Sequence, residues 1–167
     1  MNMSMSSAPQ FSAIVSAPFG GVGIRVDDGQ LKELTYLPRS YDTKPARDPL
    51  SKEVASQIRA YLKDPDFVFT LDLPEVGTAH QRKVWKVISA IPRGEVLTYG
   101  QVARLIRSAP RAVGQACGAN WFPVAIPCHR VTAAGGIGGF GGYALHDGGF
   151  HHEVKRWLLH HEQVPGY

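Results

Sequence analysis

Apolar and polar residues alternate in four short runs of the N-terminal half: Ala13 to Val15, Val22 to Val26, Leu31 to Leu37 and Phe67 to Leu71. A period of two sends successive side chains to opposite faces of a strand, so each run predicts a β-strand. Between the third and fourth runs the period changes. Leu50, Val54, Ile58, Tyr61 and Leu62 recur at helical spacing. Asp48 suits the N-cap of that helix and Pro49 its first turn. The stripe is core and carries no assigned chemistry. Residues 38 to 48 open on Pro38-Arg39-Ser40, carry Pro45, and predict a polar connection. The segment Asp72 to Gly77 is the expected boundary between an N-terminal α/β domain, 1–75, and a C-terminal domain, 76–167.

The second half reads as helical. Thr78 precedes Gln81 by three residues, and Thr98 precedes Gln101 by three, the spacing of a capping box. The first of these helices shows Val84, Val87, Ile88 and Ile91 on one face and stops at Pro92 and Gly94. The second shows Val102, Leu105 and Ile106, and Ser108-Ala109-Pro110 restarts the chain into a third, about Arg111 to Gly118. Two short helices joined by a tight turn predict a helix-turn-helix. The third helix is slim, with Ala112, Gly114, Ala116, Gly118 and Ala119. Glycine weakens a helix, so its use here points to close packing or close approach to a partner. Residues 135 to 149 hold eight glycines around Phe140 and Tyr143. They read as a wall over a ligand pocket.

Charge sharpens this division. Residues 1–75 carry 8 Lys/Arg and 10 Asp/Glu, whereas residues 76–167 carry 10 Lys/Arg and 4 Asp/Glu. The whole net charge of +4 therefore comes from the C-terminal half. A basic face fits a polyanion such as DNA. The chain shows no run of membrane-spanning length, its polar start (Met1 to Gln10) lacks the apolar core of a secretory signal, and its two cysteines make no disulfide framework. These features lead us to expect a cytoplasmic protein.

The sequence Ile126-Pro127-Cys128-His129-Arg130-Val131 concentrates the chemistry. The thiolate is the nucleophilic form of cysteine, and an adjacent base or cation helps to produce it. A carboxylate that orients the imidazole completes such a set. By spacing alone Glu153 is a candidate for that carboxylate.

Pro-Cys-His-Arg-Val resembles the signature of the O6-alkylguanine-DNA alkyltransferases. The likeness continues in order through Gly77-Thr78, Gln81-Arg82, Val84-Trp85, Ile91-Pro92, Gly94-Glu95, Thr98-Tyr99-Gly100, Arg111-Ala112-Val113-Gly114, Asn120 and the stretch Lys155 to Glu162 with Trp157-Leu158-Leu159. The resemblance implies an α+β protein. Its N-terminal domain would be a small antiparallel sheet with a helix, ribonuclease-H-like. Its C-terminal domain would be mainly helical, winged-helix-like, with a helix-turn-helix. It implies repair of O6-alkylguanine in double-stranded DNA by irreversible transfer of the alkyl group to Cys128, once per molecule, with base flipping and without a cofactor or metal. O4-alkylthymine is a further candidate substrate. His129 would be the base, a water lying between it and the thiol, and Glu162 its orienting carboxylate. Tyr99 would assist the leaving guanine and Asn120 would tie the DNA-reading helix to the active-site strand. Arg111 would fill the gap left by the flipped base, with Ala112, Tyr99, Gly114, Gly118 and Arg130 on the DNA surface. Cys117, Val131, Phe140, Gly141 and Gly142 would line the pocket. A monomer is expected. The chemistry requires the Cys128 sulfur to be exposed at the bottom of a cleft that admits a purine.

The chain departs from the family pattern at His80, where an aromatic is usual, at Trp121-Phe122 after Asn120, at Cys117, and in a longer segment Ala144 to Phe150. Residues 1–75 contain no Cys or His, so the N-terminal zinc site of some relatives is not expected. His151-His152 and His160-His161 read as solvated pairs. Three other readings compete. A lesion sensor would replace the nucleophile, a Cys-His hydrolase would leave the basic helices unexplained, and a transcription factor would need a further domain.

Overall fold

The computed structural model describes residues 10–138 and 149–167. The chain is mixed α+β and divides into two compact units, Met1–Pro74 and Glu75–Tyr167.

In the first unit, strands β1 (Ala13–Ala17), β2 (Gly20–Asp27) and β3 (Gln30–Leu37) form an antiparallel sheet in that order. The β2–β3 turn is Asp28-Gly29, both at positive φ (54° and 72°). This is the turn geometry whose twist matches that of paired strands. The register shifts between Arg25 and Val26. One face of the sheet buries Val22, Ile24, Leu34 and Tyr36. Helix α1 (Pro49–Lys63) packs on the sheet through Val54, Ala55, Ile58 and Tyr61. Its N-cap is Asp48, whose carboxylate accepts from Ser51 N at 3.0 Å. Leu50 and Leu62, expected in the stripe, are only half-buried.

The fourth predicted strand does not form. Residues Phe67 to Leu71 pair with no other strand among the described residues. The segment is fastened instead by the buried Gln57, whose Oε1 accepts from Thr70 N at 2.9 Å and whose Nε2 donates to Thr70 Oγ1 at 3.0 Å. Val68 is 75% exposed. The alternation was real, but side-chain amide bonds take the place of a strand partner.

The second unit begins with α2 (Ala79–Ser89) and continues through β4 (Leu97–Thr98), α3 (Tyr99–Ile106) and α4 (Pro110–Gly118). A 3-10 turn (Cys128–Arg130), β5 (Val131–Thr132) and α5 (Phe150–His161) complete it. Both capping boxes, Thr78 with Gln81 and Thr98 with Gln101, are made. Helices α2, α3 and α4 pack on one another, burying Val84, Ile88, Val102, Ala103, Val113 and Ala116. Trp85 joins this core and donates from Nε1 to Ala116 O at 2.9 Å. Leu105, expected on the buried face of α3, is 66% exposed, and Ala103 takes its place. Arg107, at positive φ, turns the chain between α3 and α4. Among the described residues no helix is long and apolar enough to cross a membrane.

Ile24 sits on the central strand and is 0% exposed. Truncation to alanine is expected to cost about 2–5 kcal/mol, the usual range for a buried aliphatic side chain. Urea unfolding of Ile24→Ala, followed by circular dichroism, should show the unfolding free energy fall by that amount, with a correspondingly lower midpoint.

Candidate active site

A two-strand pairing assembles the site. β4 and β5 run parallel, with Leu97 opposite Val131 and Thr98 opposite Thr132. Tyr99 follows Thr98, and Cys128-His129-Arg130 precede Val131. The pairing therefore brings the head of α3 beside the Cys-His-Arg turn, although some thirty positions separate them in the chain. Val131 is fully buried and its N–H donates to Cys128 O.

The turn from α4 to Cys128 is fixed by Asn120. Its Nδ2 donates to Ile126 O at 2.9 Å and to Cys128 Sγ at 3.2 Å, while its Oδ1 accepts from Phe122 N at 2.8 Å. One amide thus holds both the loop backbone and the sulfur. Cys117, on the buried face of α4, shares a hydrogen bond with the Cys128 thiol.

Cys128 is 3% exposed. This corrects the expectation of an open sulfur: the thiol closes onto Asn120 and Cys117. The hydrogen bond with Cys117 and burial push its pKa well above the usual thiol range, while the Asn120 amide and the charge of Lys155 pull the other way. The resting group is therefore a thiol, not the thiolate that the sequence pattern alone would imply.

His129 and Glu162 are both 0% exposed. Burial lowers the His129 pKa against the opposing pull of Glu162, so the ring is neutral. Burial alone would raise the Glu162 carboxyl, but its bonds to His129 and Arg130 and their charges hold it well below the ordinary carboxylate range. His129 Nε2 lies 2.7 Å from Glu162 Oε2. An ionised carboxylate only accepts, so Nε2 carries the proton and Nδ1 the lone pair. Nδ1 is buried and has no protein partner among the described residues. It is a base with its proton acceptor site free of competing protein donors.

Arg130 departs from its expected place on the DNA surface. Its Nε and Nη2 donate to Glu162 Oε1 and Oε2 at 2.9 and 3.1 Å, and its Nη1 donates to Ile91 O at 2.7 Å. The guanidinium is spent inward, because a buried carboxylate needs a bidentate partner. Glu162 caps the end of α5 and its backbone O accepts from Arg93 Nη1 at 3.1 Å. Glu162, the carboxylate implied by the resemblance, and not Glu153, the one suggested by spacing, is bonded to His129.

Arg111 is exposed on the first turn of α4, with Ala112, Gly114 and Gly118 half-buried along the helix. Arg104 and Arg107 add exposed charge on the preceding segment. Tyr99 is half-buried and its ring lies against the α4 backbone near Gly114. On its other side sits Gly138, at φ +78°, where a Cβ would come within 2.9 Å of the ring. Only glycine fits there. Burial, then Cys117 and Cys128, raise the Tyr99 pKa, so the phenol keeps its proton. Phe140, Gly141 and Gly142, expected in the pocket wall, lie outside the described residues.

The sequence reading missed Lys155. It is 0% exposed and donates from Nζ to Tyr99 OH at 3.4 Å. The signal was present: a lysine on the stripe of α5 that also holds Val154, Leu158 and Leu159. Among the described residues no group of three His, Cys, Asp or Glu is placed to hold a metal ion.

Residues 79–164 match the family model for the DNA-binding domain of 6-O-methylguanine DNA methyltransferase. A probable methylated-DNA–protein-cysteine methyltransferase of Acanthamoeba polyphaga mimivirus is 40% identical over 154 residues, covering 90% of this chain and 95% of that protein. The methylated-DNA–protein-cysteine methyltransferase of Salmonella typhimurium is 40% identical over 137 residues, covering 80% of this chain and 74% of that protein. Among solved structures, Mycobacterium tuberculosis OGT in complex with DNA is 31% identical, with a TM-score of 0.73 over 92% of this chain and 94% of that one.

Two measurements test this geometry. Arg130→Met leaves the buried Glu162 short of a partner and should destabilise the protein by about 3–5 kcal/mol, read from chemical denaturation. The second concerns pH. His129 is harder to protonate folded than unfolded, so its contribution is complete above the ordinary value of about 6.5 and is lost as pH falls below it. Glu162 is harder to protonate folded as well, so its contribution is complete above about 4.3 and is lost on further acidification. The melting temperature should therefore fall in two stages, and His129→Gln should abolish the one that begins near 6.5.

Proposed function

The chain belongs to the 6-O-methylguanine DNA methyltransferase family, DNA-repair proteins that transfer an alkyl group to cysteine, and from that premise we propose that Cys128 is the acceptor. The single observation that carries the assignment is the buried chain Glu162–His129, which ends on an unprotonated Nδ1 in the residue next to the cysteine.

The proposed mechanism runs as follows. The O6-alkylguanine of duplex DNA leaves the stack, because a stacked base cannot reach a sulfur that is only 3% exposed. The side chains over the thiol yield to it. His129 Nδ1 takes the thiol proton through an intervening water, and Glu162 stabilises the imidazolium. The sulfur attacks the alkyl carbon, the S–C bond forms as the C–O6 bond breaks, and the electron pair passes into the guanine. Tyr99 donates to the guanine ring nitrogen, and the proton given up by the thiol restores the tyrosine. The net change is one alkyl group moved to sulfur and one proton moved to guanine. No base in the site can expel a thioether, so each molecule reacts once. No cofactor enters the balance, because the alkyl donor is the DNA.

The raised pKa of Cys128 gives this scheme its timing. A neutral thiol survives in the resting protein, and proton removal is coupled to arrival of the base. Arg111, Ala112, Gly114 and Gly118 are proposed to face DNA through the slim α4, in the minor groove, with Arg111 filling the space of the flipped base. Cys117 and Val131 are proposed pocket residues, as are Phe140, Gly141 and Gly142. We further propose a ribonuclease-H-like N-terminal unit, a winged-helix-like C-terminal unit, a monomeric state and a cytoplasmic location. Action on O4-alkylthymine extends the same chemistry to a second base.

The test uses duplex DNA containing one O6-methylguanine. Mass spectrometry of the digested protein should find one methyl group, on the peptide with Cys128, and none in Cys128→Ala. Binding without transfer would instead describe a lesion sensor, and repeated turnover of an ester substrate a hydrolase.

A further inference from the structure

Lys155 is a buried, charged side chain near the thiol that the scheme above leaves without a task. Full burial of an ammonium is costly unless the charge is used or compensated. Here it lies among the reacting groups. Its Nζ donates to the Tyr99 hydroxyl at 3.4 Å and stands 5.6 Å from the centre of the Tyr99 ring. Its charge also acts on Cys128 and His129. The groups facing it are thus Tyr99 from α3, Cys117 from α4, and Cys128 and His129 from the 3-10 turn.

We propose that Lys155 is a positioning residue for alkyl transfer, its ammonium holding the Tyr99 hydroxyl as an acceptor so that the tyrosine's own proton is presented to the departing guanine. This rests on the reading of Cys128 as the acceptor and Tyr99 as the donor. The argument is one of hydrogen-bond direction. An ammonium has three donors and no acceptor, so a hydroxyl bonded to it can only accept. The phenolic proton must then point elsewhere. A neutral amine has a lone pair and can take that proton's bond for itself. The charge on Lys155 therefore decides which way the Tyr99 hydrogen bond runs. The hydroxyl keeps its proton in either case, since burial and the two thiols raise its pKa.

Burial lowers the Lys155 pKa to about 8, against the opposing effect of Cys117 and Cys128. The lysine is charged below that value and neutral above it, so the contribution of Tyr99 is present at lower pH and is lost as pH rises through about 8. Bound DNA, being anionic, favours the charged form and moves the transition no lower.

The experiment measures the single-turnover rate of Cys128 methylation at saturating O6-methylguanine duplex. It compares wild type, Tyr99→Phe, Lys155→Met and the double variant, with melting temperatures and DNA affinities alongside. Methionine fills the lysine's space without its charge. The ratio of the wild-type rate to that of Tyr99→Phe cancels the titrations of Cys128 and His129. It should be roughly tenfold or more near pH 6.5, in line with general acid assistance, and should collapse toward one at pH 9.5. In the Lys155→Met background the same ratio should be small and flat, so the two losses are not additive. A wild-type ratio that stays constant with pH, or losses that add, overturns the proposal. So does a Lys155→Met defect confined to DNA affinity. If wild-type protein transfers no methyl to Cys128, the acceptor assignment itself fails and this inference falls with it.

Discussion

A buried carboxylate cannot stay ionised alone, and the second unit of this protein is arranged around that fact. Glu162 is wholly inaccessible to water, yet its partners hold its pKa far below the ordinary range. Desolvation of such an ion costs several kcal/mol and is recovered only with close, directional partners. His129 and the bidentate Arg130 supply them. Meeting that demand settles everything downstream. It fixes which imidazole nitrogen carries the proton, where the lone pair sits, and why an arginine next to the nucleophile points inward rather than toward DNA. The backbone shares in the arrangement, since Ile91 O and Glu162 O accept from Arg130 and Arg93.

The second organising element is smaller. Two residues of parallel strand, Leu97–Thr98 against Val131–Thr132, join segments that are otherwise remote. Capping at Thr98 starts α3 immediately afterwards, so Tyr99 has little freedom to leave the site. On the opposite side Asn120 spends one amide on Ile126 O, Phe122 N and the sulfur itself. The helix with the exposed Arg111 and the turn with the thiol are therefore mechanically continuous.

The electrostatics of the pocket favour restraint over standing reactivity. The hydrogen bond with Cys117, together with burial, keeps Cys128 protonated, while burial keeps His129 neutral and weakens the charge on Lys155. A protein consumed by its own reaction gains from this. A permanently ionised thiolate would meet adventitious electrophiles and oxidants before it met a lesion. At rest the Cys128 sulfur is a protonated thiol and the His129 ring is uncharged.

Local chemistry wrote much of this into the chain. The capping boxes, the Pro49 helix start, three of the four alternating runs and the Cys-His-Arg turn depend on neighbours within a few residues, so their patterns are visible without a fold. Long-range pairing is not encoded that way. Phe67 to Leu71 alternates like a strand, but whether an edge is free to receive it is a property of the folded sheet, and Gln57 met its hydrogen bonds first. Arg130 reads as a surface cation until Glu162 arrives from thirty-two positions away. Lys155 carries no assigned role in the sequence until α5 is seen to bring its ammonium to Tyr99. Sequence determines which groups are available and which local shapes they favour. Only tertiary structure decides which charges are desolvated together, because the energy of a buried charge depends on partners whose distance along the chain carries no information about their distance in space.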